Sequence, residues 1–295
     1  MHVATNQMRR DAAKRKLASQ QARRAQKEAR RRRIAVISSA AVVVLVLVAV
    51  VALSMVGRGG DTAAPADPAA SNAASASAQP ATGTTPESIP TEIAALPTRP
   101  TPLPASVSCD YPAEGGAAKP VNTPPADDVS AEGTVSATVQ TSAGTIPLTL
   151  DRALAPCTVN SFVSLAEQKY FDATTCHRLT TDPGLQVLQC GDPTGTGSGG
   201  PGYTIPDEVF PELTYGRGIL AMAKTAAPNS GGSQFFMVYG DGELPPEYTV
   251  FGSISPEGLQ VVDQIARTGH DDSMASSAGG GMPVQPVTIE SVTVS

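Results

Sequence analysis

The 295-residue chain contains no tryptophan and only six phenylalanines and six tyrosines, a scarcity due in part to a long Ala/Pro/Thr stretch that dilutes the composition. Its four cysteines include no CxxC pair, which argues against a metal centre. No Ser/His/Asp set is evident, and Gly231-Gly232-Ser233-Gln234 is not a GxSxG nucleophile elbow, so hydrolase chemistry is disfavoured. Gly195-Thr196-Gly197-Ser198-Gly199-Gly200 fits GxGxxG, but Pro201-Gly202 follows where a helix should start. A dinucleotide site is excluded on that ground, and the stretch reads as a flexible surface loop. Basic residues are also scarce where nucleic acid would need them. Of 21 Lys+Arg and 27 Asp+Glu, residues 1–33 hold 12 and 2, which leaves 9 and 25 for the rest. An acidic body of this kind lacks the footprint that a phosphate backbone requires.

What is present falls into four stretches. Residues 1–33 form a basic arm ending in Arg30-Arg31-Arg32-Arg33, and 34–56 follow as 23 residues without a charge. That length suits a membrane-spanning helix. It exceeds a typical signal-peptide core, and no small-x-small cleavage site follows, although a cleaved signal is the competing reading. The basic flank keeps the N-terminus cytoplasmic and puts the rest outside the cytoplasm. Residues 57–132, rich in Ala, Pro, Thr and Ser, bury too little apolar surface to fold and read as a disordered, extended tether. Cys109 and Tyr111 suggest that its last part docks on the domain that follows.

From Gly133 to Ser295 periodicity sets in. Val135, Ala137 and Val139 alternate, as do Ile146, Leu148 and Leu150, with Ser142-Ala143-Gly144 as the turn between them. Pro156 opens a helix with Val159, Phe162, Val163 and Ala166 on one face, and a second runs from Pro256 to about Arg267 with Leu259, Val262 and Ile265 inward. Short strands are expected at Cys176–Leu179, Leu185–Cys190, Gly218–Ala223, Phe235–Tyr239, Thr249–Ile254 and Val287–Val294. Few of these strands are separated by helices, which argues against a doubly wound sheet. The prediction is a mainly β domain, a closed antiparallel barrel capped by two helices.

Four cysteines in an oxidising compartment favour disulfides. Cys176 and Cys190 flank a short loop between two strands and are paired, which leaves Cys109 with Cys157. The stretch Gly231 to Phe236 is a glycine-lined turn feeding an apolar strand, where Phe235 and Phe236 must point to opposite faces. One ring goes to a core and the other can line a groove. His177 and Arg178 face oppositely for the same reason, and His177 reads as a satisfied interior histidine.

Several segments, taken together, resemble one family. They are Cys176-His177-Arg178-Leu179; Leu188-Gln189-Cys190-Gly191-Asp192-Pro193-Thr194-Gly195-Thr196-Gly197; Gly218-Ile219-Leu220-Ala221-Met222-Ala223; Pro228-Asn229-Ser230-Gly231-Gly232-Ser233-Gln234-Phe235-Phe236; and Tyr248-Thr249-Val250-Phe251-Gly252. In order and spacing they are similar to the cyclophilin-type peptidyl-prolyl cis-trans isomerases, over about 133–295. The resemblance implies an eight-stranded barrel with two helices and an isomerase without a cofactor, acting on proline-containing peptides; with the topology read from the basic flank, its clients would be exported proteins. It implies Arg178 as the catalytic donor and Gln189 as the residue that orients it. Gln234 would line the groove, and the backbone of Ala223 and Lys224 would hold the residue before proline. Phe236, Leu244 and Tyr248, with Val187 beside them, would form the proline pocket.

The chain departs from the family at several points. Two residues are inserted within Thr180-Thr181-Asp182-Pro183-Gly184. The usual pocket aromatic falls at Gln186, with Leu185 the nearest apolar substitute, so either the wall is polar or a bulge brings Leu185 in. Lys224 replaces an asparagine. The rim tryptophan of cyclosporin-sensitive members falls near Glu243, which argues against that sensitivity. A non-catalytic proline-peptide binding module at the cell envelope is the alternative reading, and an envelope protein using the domain as a spacer is a third.

Overall fold

The computed structural model describes residues 83–295. The basic arm, the proposed membrane span and the first part of the tether lie outside the described residues. Among the described residues no helix is long and apolar enough to cross a membrane.

The hairpin forms as the alternation dictates. β3 (Thr134–Thr141) and β4 (Gly144–Asp151) pair in register from Thr134↔Asp151 to Thr141↔Gly144. Gly144 takes φ +136, a value that L side chains rarely adopt, so the turn needs glycine there. α1 (Pro156–Glu167) carries proline in its first turn, where a missing N–H costs nothing, and buries Val159, Phe162, Leu165 and Ala166. Val163, expected inward, is only partly buried; Leu165 completes the apolar face. α2 (Pro256–Thr268) is capped by Ser255, whose hydroxyl accepts from Gly258 N, and buries Leu259, Val262 and Ile265 as the spacing requires.

The remaining strands are β5 (Thr174–Thr175), β6 (Arg178–Leu179), β7 (Leu185–Cys190), β8 (Ile219–Met222), β9 (Phe235–Gly242), β10 (Val250–Ile254) and β11 (Thr288–Val294). With β3 and β4 they form one antiparallel sheet in the order β5-β11-β3-β4-β10-β8-β9-β7-β6. This corrects the closed eight-stranded barrel to a nine-stranded sheet that is not closed. Its two end strands are joined by Cys176-His177 alone, so the sheet curls until its ends are neighbours, yet no ladder links them. The reason lies at Leu179, whose N–H and C=O are both taken by Gly281 (2.7 and 3.0 Å), so the free edge of β6 is already satisfied. Inside the curl, Phe162 meets Phe171, Phe235 and Phe251 at centroid separations of 5.0, 5.4 and 5.6 Å.

The tether reading is corrected over residues 83–131, which lie as a strap against the sheet domain in one compact unit. β1 (Ser106–Val107) pairs with β2 (Val129–Ser130) inside the strap, and Cys109 is bonded to Cys157 at the start of α1. Thr84 bridges His270, Ala94 N donates to Arg217 O (2.8 Å), and the Tyr111 hydroxyl donates to Cys157 O (2.9 Å). Arg99 donates to Leu154 O and Glu208 O and stands 5.0 Å from the Phe210 ring centre. The composition argument holds for an isolated segment. Here the domain supplies the missing partners, and Ile89, Leu96, Val107, Tyr111 and Val121 pack against its core. The second disulfide joins Cys176, just before β6, to Cys190 at the end of β7.

Candidate active site

The site begins as a row of residues set by strand register. Arg178 on β6 is the partner of Gln189 on β7, Gln189 is the partner of Phe236 on β9, and Phe236 is the partner of Ala221 on β8. Directly paired residues project to the same face, so Arg178, Gln189 and Phe236 share one side. Phe235 is the ring that goes to the core, where it is fully buried, and Phe236 is the ring left for the groove side.

Arg178 is held at three points. Its Nε donates to Gly279 O (3.0 Å), Nη1 donates to Gln189 Oε1 (3.0 Å), and Nη2 donates to Ala278 O. A guanidinium has five N–H groups, so one remains on each terminal nitrogen. Burial lowers the Arg178 pKa, which Tyr248 and Asp182 partly offset. From Arg178 the network continues: Gln189 Nε2 donates to Gln234 Oε1 (3.0 Å), and Gln234 Nε2 donates to Gly199 O (3.0 Å). Each amide uses its oxygen toward the cation and its nitrogen away from it, so the chain of donors has one direction.

The apolar side is built from Phe236 and Tyr248, edge to face at 5.7 Å. Tyr248 is fixed by Tyr215, whose hydroxyl donates to Tyr248 O and accepts from Tyr248 N. Val187 is buried on β7 opposite Val238, and Leu244 is half-buried two residues beyond β9. Ala223 N donates to Gln234 O (2.9 Å), which places that backbone beside the amide network. Lys224 Nζ stands 3.7 Å from Asp207 Oδ2 and 5.9 Å from the Tyr248 ring centre.

The ladder slips between Leu185 and Val187. Gln186 is buried and turned away: its Nε2 donates to Ser88 O of the strap (2.7 Å), and its Oε1 accepts from Asp241 N (3.1 Å). Leu185, on the other side of the slip, is half-exposed opposite Gly242.

A groove of about 620 Å³ runs beside this row, lined by Gln189, Gln234, Ala223 and Lys224 together with the 197–204 and 230–233 segments and strap residues 114–116. Arg178, Leu185, Val187, Phe236, Leu244 and Tyr248 are not part of its lining; Arg178 connects to it through Gln189 and Tyr248 through Lys224. The loop after β7 is organised rather than loose. Asp192 accepts from Thr194 N, Gly197 N and Ser198 N (2.7, 2.6 and 3.0 Å). Burial works to raise the Asp192 carboxyl, but the Thr194 hydroxyl and the backbone N–H groups of Thr194, Gly199 and Gly197 hold it below its ordinary value. His177 is buried, as expected, and among the described residues neither ring nitrogen has a hydrogen-bond partner, where a satisfied histidine was expected. Burial lowers its pKa, with Asp192 opposing. No group of three or more His, Cys, Asp or Glu side chains arranged to hold a metal occurs among the described residues.

Sequence reasoning missed the carbonyl acceptors at Ala278, Gly279 and Gly199, because any residue has a carbonyl and only the fold aims it. It also missed Asp207, Tyr215 and the strap residues. The left-handed φ of Gly279 and Gly280 (+79 and +71) is the one local trace of the loop that grips Arg178.

A family model described as cyclophilin type peptidyl-prolyl cis-trans isomerase/CLD matches residues 136–294. A probable peptidyl-prolyl cis-trans isomerase B of Mycobacterium leprae is 49% identical over 200 residues, 63% of this chain and 66% of that one. The chain thus spans just under two thirds of that relative's length. Peptidyl-prolyl cis-trans isomerase B of Streptomyces anulatus is 36% identical over 175 residues, 54% of this chain and 95% of that one. A crystal structure of a cyclophilin type isomerase from Cryptosporidium parvum is 29% identical, covers 55% of this chain and 98% of that one, and superposes with a TM-score of 0.46.

Proposed function

Because this chain belongs to the cyclophilin-type peptidyl-prolyl cis-trans isomerase family, we propose that it accelerates rotation about X-Pro bonds, with Arg178 as the donor that meets the twisted amide. Amide resonance opposes the rotation with a barrier of roughly 18–20 kcal/mol. No bond is made or broken. At the top of the barrier the proline nitrogen regains its lone pair and becomes an acceptor, so a fixed donor aimed at it lowers the barrier more than it tightens ground-state binding. The observation that carries this reading is the three-point grip on the guanidinium, which among the described residues leaves one N–H unengaged on each terminal nitrogen, next to the groove-lining Gln189. Gln189 orients that group, and Gln234 extends the donor chain to the groove wall. The proline ring would sit against Phe236 and Tyr248, with Leu185, Val187 and Leu244 at its margins. The backbone at Ala223 and Lys224 would hold the preceding residue.

The clients we propose are exported proteins, met outside the cytoplasm by a domain anchored through residues 34–56. The support is the basic arm before an uncharged stretch of 23 residues, together with two disulfides on the side read as exported. The test of activity is exchange spectroscopy on an X-Pro peptide with the full-length chain in detergent. Faster exchange between cis and trans signals is expected. Peptide binding with unchanged exchange would hand the site to the binding-module reading.

A further inference from the structure

The strap builds one wall of the groove. Thr204 N donates to Pro112 O, Glu114 N to Gly202 O and Ala118 N to Gly200 O, each at 2.9 Å, so strap residues 112–118 run alongside the 200–204 segment. Cys109, bonded to Cys157, anchors the near end. This wall lies outside residues 136–294, so it is an addition to the part that the family model covers. Glu114 and Lys224 are the charged residues among those lining the groove. The Lys224 ammonium is engaged by Asp207 at 3.7 Å. Glu114 is exposed and forms no ion pair among the described residues. The groove therefore presents one uncompensated negative charge, carried by the strap.

Position along the substrate follows from the layout, and it rests on the isomerase reading above. The proline lies against Phe236 and Tyr248, and the residue before it lies at Ala223 and Lys224. The groove continues from there to the strap, so its far end takes residues further upstream. We infer that Glu114 is a specificity-determining residue that favours substrates carrying a lysine or arginine one or two positions before the X-Pro pair. A flexible cation at an exposed carboxylate gains a modest, salt-screened attraction, and a carboxylate there is repelled.

The test uses the full-length chain with three peptides alike except for Lys, Ala or Glu at the upstream position. Both dissociation constants and exchange rates are measured, at low and at high salt. At low salt the lysine peptide is expected to bind about 3- to 10-fold more tightly than the glutamate peptide, with the preference shrinking at high salt. Glu114→Gln should bring that ratio toward one, and Glu114→Lys should invert it. A ratio near one in the unmutated chain, or one unmoved by both substitutions, overturns the inference. Exchange of the alanine peptide judges the isomerase reading separately. A chain that binds with the predicted charge preference but does not accelerate exchange would remove the enzyme reading and still support Glu114. Failure to bind any of the three peptides would overturn both.

Discussion

The sheet that carries Arg178 and the strap that carries Glu114 are ordered by different means. In the sheet, a ladder fixes each residue against its neighbours, and the row Arg178, Gln189, Phe236 and Ala221 is a consequence of register. In the strap, order comes from separate attachments: a disulfide at Cys109, the Arg99 side chain, the Tyr111 hydroxyl and a few backbone bonds. A ladder fails as a whole, because each bond shares its residues with the next. Point attachments fail one at a time. The donor we propose, Arg178, therefore sits on the cooperative region, and the proposed specificity residue, Glu114, on the separable one.

The largest expected effect comes from breaking the sheet region at Arg217. Its guanidinium pairs with Asp263 at 2.7 and 2.9 Å and also donates to Tyr239 O, in a setting only 9% exposed at the side chain. Arg217→Ala should cost about 3–5 kcal/mol, because it strands a mostly buried carboxylate. Urea unfolding should stay a single transition at lower midpoint. Two separate transitions would mean that the sheet is not the cooperative unit described.

Next in size is the strap. Replacing Cys109 and Cys157 by serine removes a closure spanning 48 positions and should cost on the order of 2–4 kcal/mol. The loss should be local: limited proteolysis should cut between 83 and 131 before the sheet is touched. Simultaneous loss of strap and sheet would erase the distinction between them.

A third effect belongs to the sheet and depends on pH. Unfolded histidine takes up a proton near pH 6.5, whereas burial makes His177 bind it only at lower pH. Below about pH 6.5 the unfolded state binds more protons, so stability falls as pH falls, by up to about 1.4 kcal/mol per unit until the folded ring titrates. Glu208 acts in the opposite sense, because burial raises its carboxyl. The comparison is therefore with His177→Phe, which should lose this part of the acid slope. Parallel slopes for the two proteins would contradict the burial argument.

The smallest effect tests where the two regions meet, at the bulge. Leu185→Ala should weaken binding of a proline peptide a few-fold. Gln186→Ala should leave binding nearly unchanged while costing stability, since it abandons Ser88 O and Asp241 N. The reverse pattern would place the amide at the pocket wall.

This same contrast explains what the sequence made legible. Alternation at Val135–Val139 and Ile146–Leu150, and the helical spacing from Pro156 and Pro256, located the hairpin and both helices, because their order is local. The residues Arg178, Gln189, Gln234 and Phe236 were legible as motifs, and strand register brings the first, second and fourth onto one row. The strap was read as disordered because its internal pairing, β1 with β2, is too short to show as a pattern, and its other partners lie at Leu154, Cys157, Glu208, Arg217 and His270, far along the chain. Closure of the barrel was overestimated because strand count says nothing of who occupies the last edge, and Gly281 occupies it. Leu185 against Gln186 stayed open, since a bulge is a property of paired strands and not of one.

The measurement that tests the central claim most directly separates rate from affinity at Arg178. For Arg178→Ala, the catalysed exchange rate at saturating peptide should fall about 10²- to 10³-fold, the loss typical of one donor aimed at a developing charge. The dissociation constant should stay within a few-fold, and Arg178→Lys should recover only part of the rate, because a single ammonium lacks the guanidinium fork. Equal losses in rate and binding would make Arg178 an ordinary binding residue and contradict the account.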